Sequence, residues 1–125
     1  MTKLVNLTPH ALRVRIEESN IPEPLESDIV LEPAGPAVRV SSKSVVIGEI
    51  NGVPIVRTEF GGIDNLPAPK DDVVYVTSMI AAQRASQIGR TDVIGPNTGP
   101  GADIRYPKEH KLAGLTFAVR TFQRF

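Results

Sequence analysis

Val45–Phe60 reads VVIGEINGVPIVRTEF, two apolar, β-branched runs on either side of Asn51-Gly52. Asn-Gly is the dipeptide that best tolerates the two positive φ angles of a type I′ turn. Val45–Ile50 and Val53–Phe60 are therefore predicted to form an antiparallel hairpin. Pro54 follows the turn closely and has no N–H to donate, so its nitrogen is expected to face outward, at an edge or a non-bonded position.

The same period-two patterning extends toward the amino end. Lys3–Leu7 is a short apolar run that stops at Thr8-Pro9. Ala11–Ile16 alternates, with Leu12, Val14 and Ile16 expected on the core side and Arg13 and Arg15 in solvent. Glu17–Asp28 (EESNIPEPLESD) is acidic and proline-bearing and reads as a surface loop. Ile29–Leu31 and Ala37–Val40 are predicted as short strands separated by Pro33-Ala34-Gly35-Pro36.

Beyond the hairpin, Gly61–Lys70 reads as a loop and Val73–Thr77 as a buried strand. Ser78 is a natural N-cap and Gly89 a natural stop for a helix over Met79–Ile88. Its Ile80, Ala81, Ala85 and Ile88 share a face for packing on the sheet, bordered by Arg84. Val93–Ile94 is a short strand, Gly95–Pro107 a loop, and Ala113–Phe125 a final strand with Leu115, Phe117 and Val119 inward. The expected fold is α+β: a curved, mainly antiparallel β-sheet, a partial barrel, with one short α-helix packed on it.

Composition narrows the function classes. The chain has 125 residues, which favours a single domain over 1–125. Its 14 Lys+Arg equal its 14 Asp+Glu, and aromatics are 5% with no Trp. Neither a broad positive field nor a stacking platform is on offer, so no polymeric nucleic-acid partner is expected. No apolar run approaches the roughly 20 residues of a membrane helix, and MTKLVNLTPH lacks the marks of a signal peptide. A cytoplasmic protein with no membrane partner is the expectation. Eleven prolines and ten glycines divide the chain into short elements. The open sheet edges this leaves favour a homo-oligomer.

No catalytic motif stands out. Cysteine is absent, which removes thiol nucleophiles and thiolate zinc sites. Neither a Gly-x-Ser-x-Gly elbow nor a phosphate loop of Walker type is present. His10 and His110 stand alone, without metal-ligand spacing. Expected catalytic residues, metal ligands and cofactors are therefore none, and a non-catalytic binder is favoured over an enzyme.

The stretch Arg90–Arg105, RTDVIGPNTGPGADIR, is the richest in candidate chemistry. Its Gly/Pro density stiffens the backbone, and arginines at both ends suit an anion or sugar-phosphate. In that reading Arg90 and Arg105 hold phosphates, Asp92 accepts from ribose hydroxyls, and Asn97 and Thr98 present polar tips, Asn97 to a base edge. An ordinary surface loop turning at Asn97-Thr98-Gly99 fits the same residues. Thr8 and His10, after the first strand, can line a pocket or simply complete a turn. Arg57 and Glu59 share one face of the hairpin's second strand, as a site wall or as a solvated pair.

Val-Asn-Leu-Thr-Pro-His at the start, a central Gly-Val-Pro-Ile-Val-Arg-Thr-Glu-Phe-Gly, a Val-Thr-Ser helix start and Pro-Asn-Thr-Gly-Pro resemble a widespread group of small phage and prophage proteins. Size and an oligomer-prone sheet are also similar to the Thoeris anti-defence sponges, non-enzymatic proteins that bind cyclic ADP-ribose-type signals and, in some cases, cyclic oligonucleotides. The resemblance implies a phage-encoded protein in an infected bacterial host cell that sequesters a nucleotide immune signal without cleaving it. It touches Thr8, His10, Arg57, Glu59, Arg90, Asp92, Asn97, Thr98 and Arg105. A virion or assembly protein, or an enzyme degrading the same signal, are the alternatives.

Overall fold

The computed structural model describes residues 2–98 and 101–125. The described chain is mostly β-sheet with one short helix, in the order β1 (Lys3–Asn6), β2 (Leu12–Val14), β3 (Ile29–Leu31), β4 (Arg39–Ile50), β5 (Val53–Asp64), β6 (Val73–Val76), α1 (Met79–Gln87), β7 (Val93–Pro96), β8 (Asp103–Arg105), β9 (Thr116–Val119) and β10 (Phe122–Arg124). These strands do not close into a barrel. The expected single curved sheet is divided into three: β1-β6-β7-β10, β3-β2-β9-β8 and the hairpin β4-β5.

Pairing within the first sheet is mixed. β1, β6 and β7 run parallel, and β10 joins β7 antiparallel. Parallel neighbours need a crossover of a dozen or more residues, which α1 and its flanking turns provide between β6 and β7. The run Val73–Val76, VVYV, has the continuous apolar character of a strand covered on both faces. Tyr75 and Val76 are buried accordingly.

The Ser78 side chain accepts from Ala81 N at 3.2 Å, and Gly89 follows the helix with φ +91°. That is the expected cap at each end. The buried face is Ala81, Ala82 and Ala85. Ile80 and Ile88, expected to face the sheet, are exposed. An alanine stripe lets the helix backbone come close to the sheet. At Gly95 an added Cβ would lie 3.1 Å from Met79 Cα, so glycine is what allows the approach.

The hairpin is longer than the sequence suggested, because Gly61–Asp64 continue β5 instead of starting a loop. Asn51 (φ +51°) and Gly52 (φ +81°) form the expected two-residue turn, with Ile50 opposite Val53. Alanine at both positions would be forced into the left-handed region, at roughly 1–2 kcal/mol per residue. The N51A/G52A double variant is expected to speed amide hydrogen exchange throughout β4 and β5, with exchange in β6 and β7 unchanged.

The carboxyl-terminal stretch is corrected as well. Asp103–Arg105, expected as loop, forms β8 beside β9. The predicted strand over Ala113–Phe125 is broken at Arg120-Thr121, so β9 and β10 enter different sheets. Val119 is buried as expected and Phe117 half-buried, whereas Leu115 is exposed.

Candidate functional site

At the carboxyl end of β1 one buried amide organises the chain. Asn6 Nδ2 donates to His10 O (2.9 Å) and Leu31 O (2.8 Å), which ties β1 to β3 of the second sheet. Its Oδ1 accepts from Thr8 N (2.9 Å) and the Thr8 hydroxyl (2.7 Å). That hydroxyl is also 2.9 Å from His10 O. Thr8 therefore holds the turn that presents His10, which is itself exposed.

β1 and β7 both run parallel to β6, so their carboxyl ends lie on one side of the first sheet. Ligands of open parallel sheets bind outside such ends. Here a cleft of about 300 Å³ opens where the two four-stranded sheets meet, lined by His10, Arg13, Pro96, Thr98, Thr116 and Phe117 among others. The Arg13 guanidinium lies 5.4 Å from the Phe117 ring centroid, and its Nη1 donates to Asp28 Oδ2 at 3.1 Å. One quarter of its side chain is exposed. Among the described residues Arg13 makes that one side-chain hydrogen bond, which leaves further N–H groups for an anion. Behind it, Tyr106 meets Phe117 edge-on (5.3 Å between centroids) and stacks on His110 (4.5 Å).

No family model, curated protein or solved structure matches this chain.

The nine sequence-predicted residues do not gather in one place. His10 and Thr98 line the cleft, and Thr8 supports it. Asn97 follows β7 but is spent on the last strands: its Nδ2 donates to Thr121 Oγ1 and its backbone N–H to Thr121 O, each at 2.9 Å. Arg90 and Asp92 lie at the opposite, amino end of β7. Five residue steps of extended chain, roughly 16 Å, separate Asp92 from Asn97. Arg90 grips Asp92 with two bonds, 2.8 and 2.9 Å, and donates to Pro67 O at 2.8 Å. The Arg90 hydrogen bond holds the Asp92 carboxyl below its ordinary range against the opposing effect of burial, and the same bond raises Arg90.

Arg105 is in the second sheet, bonded to Asp103 Oδ1 (3.2 Å) and Gly114 O (2.9 Å). Arg90 and Arg105 thus have separate surroundings, and each holds chain to chain. Gly99 and Pro100, inside the stretch between them, lie outside the described residues. Arg57 and Glu59 pair with each other on the hairpin at 2.9 Å, with Lys43 3.9 Å from Glu59.

Sequence reasoning missed Arg13 as a site residue and Arg15 as a core residue. The alternation placed both in solvent. Instead, Arg15 is among the most buried side chains of the protein, and Ile16, expected inside, is exposed. Arg15 Nε donates to Asp28 Oδ1 at 2.6 Å, Nη1 to Ser19 O and Ile21 O (3.0 Å each), and Nη2 to Glu23 O (2.8 Å) and Asp28 Oδ2 (3.2 Å). Asp28 accepts from Leu25 N as well. The acidic segment 17–28, read as a surface loop, is therefore wound around one guanidinium. The only available signal was the lone Asp28 that ends that segment. Among the described residues no cluster of three His, Asp or Glu could hold a metal ion, and no helix is long and apolar enough to cross a membrane.

Proposed function

We propose that the protein binds a phosphate-bearing nucleotide ligand in the cleft between its two four-stranded sheets and sequesters it without cleavage. The observation that carries this reading is a cation one quarter exposed beside an aromatic ring, Arg13 over Phe117, in a cleft at the carboxyl ends of parallel strands. The free N–H groups of Arg13 suit a phosphate. The Phe117 ring offers a base an apolar face, and the Thr98 hydroxyl suits ribose or phosphate oxygens, whereas that of Thr116 is donated to Asp103 Oδ2 at 2.6 Å. At about 300 Å³ the cleft is at the lower end of small-molecule sites, a size for one nucleotide unit.

Resemblance to phage signal sponges makes a cyclic ADP-ribose isomer or a cyclic dinucleotide the first ligand class to try, with suppression of a bacterial nucleotide-signalled defence as the consequence. Titration calorimetry against those compounds is expected to give saturable binding. Phe117→Ala and His10→Ala are each expected to weaken it at least tenfold while melting at wild-type temperature within a few degrees. The ligand should be recovered chemically unchanged after heat denaturation. Absence of binding to every member of both classes, or retention of full affinity in both variants, overturns the reading.

A second reading, a particle or assembly component, is favoured by the hairpin, whose apolar side chains stand in solvent. Enrichment in purified virions, with no bound nucleotide, would select it.

A further inference from the structure

We infer that a second pocket, over the amino-terminal part of β1 and β6, binds a small apolar monocarboxylate, with its carboxylate between the ammonium groups of Lys3 and Lys70. Parallel pairing sets Lys3 beside Val73 and Val5 beside Tyr75. Period-two alternation then puts Lys3, Val5 and Leu7 of one strand and Val73 and Tyr75 of the other on the same face of the first sheet. At its far end this face is closed by the core, where Leu7 and Tyr75 cluster with Ala81 of α1. Toward Lys3 the face is open, with Val5 and Val73 half-buried beneath a pocket of about 280 Å³. Residues 34–36 and 65–70 supply its walls, with Pro36 and Pro67 as rigid apolar surfaces.

The walls are pinned by the chain itself. Asn65 Nδ2 donates to Ala37 O at 3.1 Å, tying one wall to the other. Ala34 N donates to Asn6 O (2.8 Å) and Val38 N to Leu7 O (3.0 Å), which fixes the first wall to β1. On the second wall Tyr75 Oη donates to Ala68 O at 3.2 Å and Arg90 Nη2 to Pro67 O at 2.8 Å. The Arg90–Asp92 pair thus buttresses the pocket. A site shaped in advance loses less entropy on binding.

Charge and size define the ligand. The lining includes two cations, Lys3 and Lys70, and no Asp or Glu. Among the described residues neither lysine has a carboxylate within ion-pair distance. Lysine stems lie along apolar walls while their ammonium groups stay in water at the mouth. The Tyr75 hydroxyl and Asn65 Nδ2 are already engaged within the chain, so a phosphate drawn onto this floor would leave charged oxygens short of donors. One charged end and one apolar body fit better. At the ~30 Å³ share of a liquid water, the pocket takes roughly nine or ten non-hydrogen atoms.

Titration calorimetry of the full chain at neutral pH tests this, with phenylacetate as the aromatic acid and octanoate as the aliphatic one. At least one acid is expected to bind saturably, with phenethyl alcohol or octanol at least tenfold weaker and phenethylamine giving no measurable heat. The Lys3→Gln/Lys70→Gln double variant is expected to bind the acid at least tenfold more weakly. It should melt within a few degrees of wild type, since both residues are exposed. In methyl NMR spectra the acid should shift the signals of Val5 and Val73 and leave those of Leu12 and Val119, which line the cleft, in place. Should the double variant fail to fold, the comparison of acid with alcohol on the wild type decides. No saturable binding of either acid, an alcohol that binds as well as its acid, full affinity in the folded double variant, or methyl shifts confined to the cleft overturns the inference.

Discussion

Arg15→Ala is expected to shift the urea unfolding midpoint far below that of the wild type. The substitution strips Asp28 of its main partner in a place where both side chains are wholly buried. It also removes the side-chain donors to the carbonyls of Ile21 and Glu23, and one of the two to Ser19 O. Losing one member of a buried ion pair generally costs about 3–5 kcal/mol, a large share of the ~5–15 kcal/mol that holds a domain together. Segment 17–28 would lose its organising centre, and Arg120, which donates to Glu17 O and Ser19 O, would lose its acceptors. Urea denaturation with circular dichroism reads the effect. A midpoint unchanged from wild type would mean that the segment is held by something other than this guanidinium.

The same pair fixes an acid sensitivity. Hydrogen bonding from Arg15, aided by Leu25 N–H and Arg13 and opposed by burial, brings the Asp28 carboxyl down to about 2 from an ordinary 3.8. A group with a depressed folded-state pKa adds stability that is complete above its unfolded value and disappears as pH falls through the folded one. Wild-type stability should therefore decline between about pH 4 and pH 2. In Asp28→Asn, already weaker at neutral pH, that part of the decline should be missing. Parallel acid titrations of melting temperature, with identical slopes in the two proteins, would refute the assignment.

Asn6→Ala is the second large effect. Its amide satisfies two carbonyls and accepts two donors, all four bonds between 2.7 and 2.9 Å. Each buried group left unpaired costs roughly 1–3 kcal/mol, and the junction between the two sheets passes through this side chain. A melting temperature lower by 10 °C or more is expected, together with loss of the His10 position and so of any ligand affinity in the cleft. Asn6→Asp keeps the two acceptor contacts but sets a buried carboxylate oxygen against the His10 and Leu31 carbonyls, so it should be no more stable than Asn6→Ala. A loss smaller than a few degrees for Asn6→Ala would show that water replaces the amide.

The parts of the fold that were legible in the sequence are those whose signals are local. Asn51-Gly52, Ser78 and Gly89 each act within a few residues, and the hairpin and α1 follow from them. The alternation at Leu12–Val14 was also legible, but period two says only which residues share a face. It does not say that the acidic segment curls back to enclose Arg15. Ile80 and Ile88 misled because their apolar character outweighed alanine's, whereas a close helix–sheet approach selects for small side chains. The parallel pairing of β1 with β6 rests on partners about seventy residues apart, for which no local pattern exists. In the site, His10 and Thr98 were visible as polar residues at strand ends. Arg13 and Phe117 come together only because β2 lies beside β9. The arginines of 90–105 looked like a cradle because sequence proximity says nothing about which end of a strand each one occupies.

The break at Arg120-Thr121 sends the last two strands into different sheets, and that has a consequence for biosynthesis. Neither four-stranded sheet has its full complement until β9 (Thr116–Val119) and β10 (Phe122–Arg124) have been made. Until then β2 waits for a neighbour made some hundred residues later, and β7 has one side open. Before that the emerging polypeptide has the partners only for the β4–β5 hairpin, the β2–β3 pair and the β1-β6-β7 part of the first sheet with α1. A stop codon introduced before residue 116 should therefore yield a product recognised by chaperones and proteases, not a trimmed native protein.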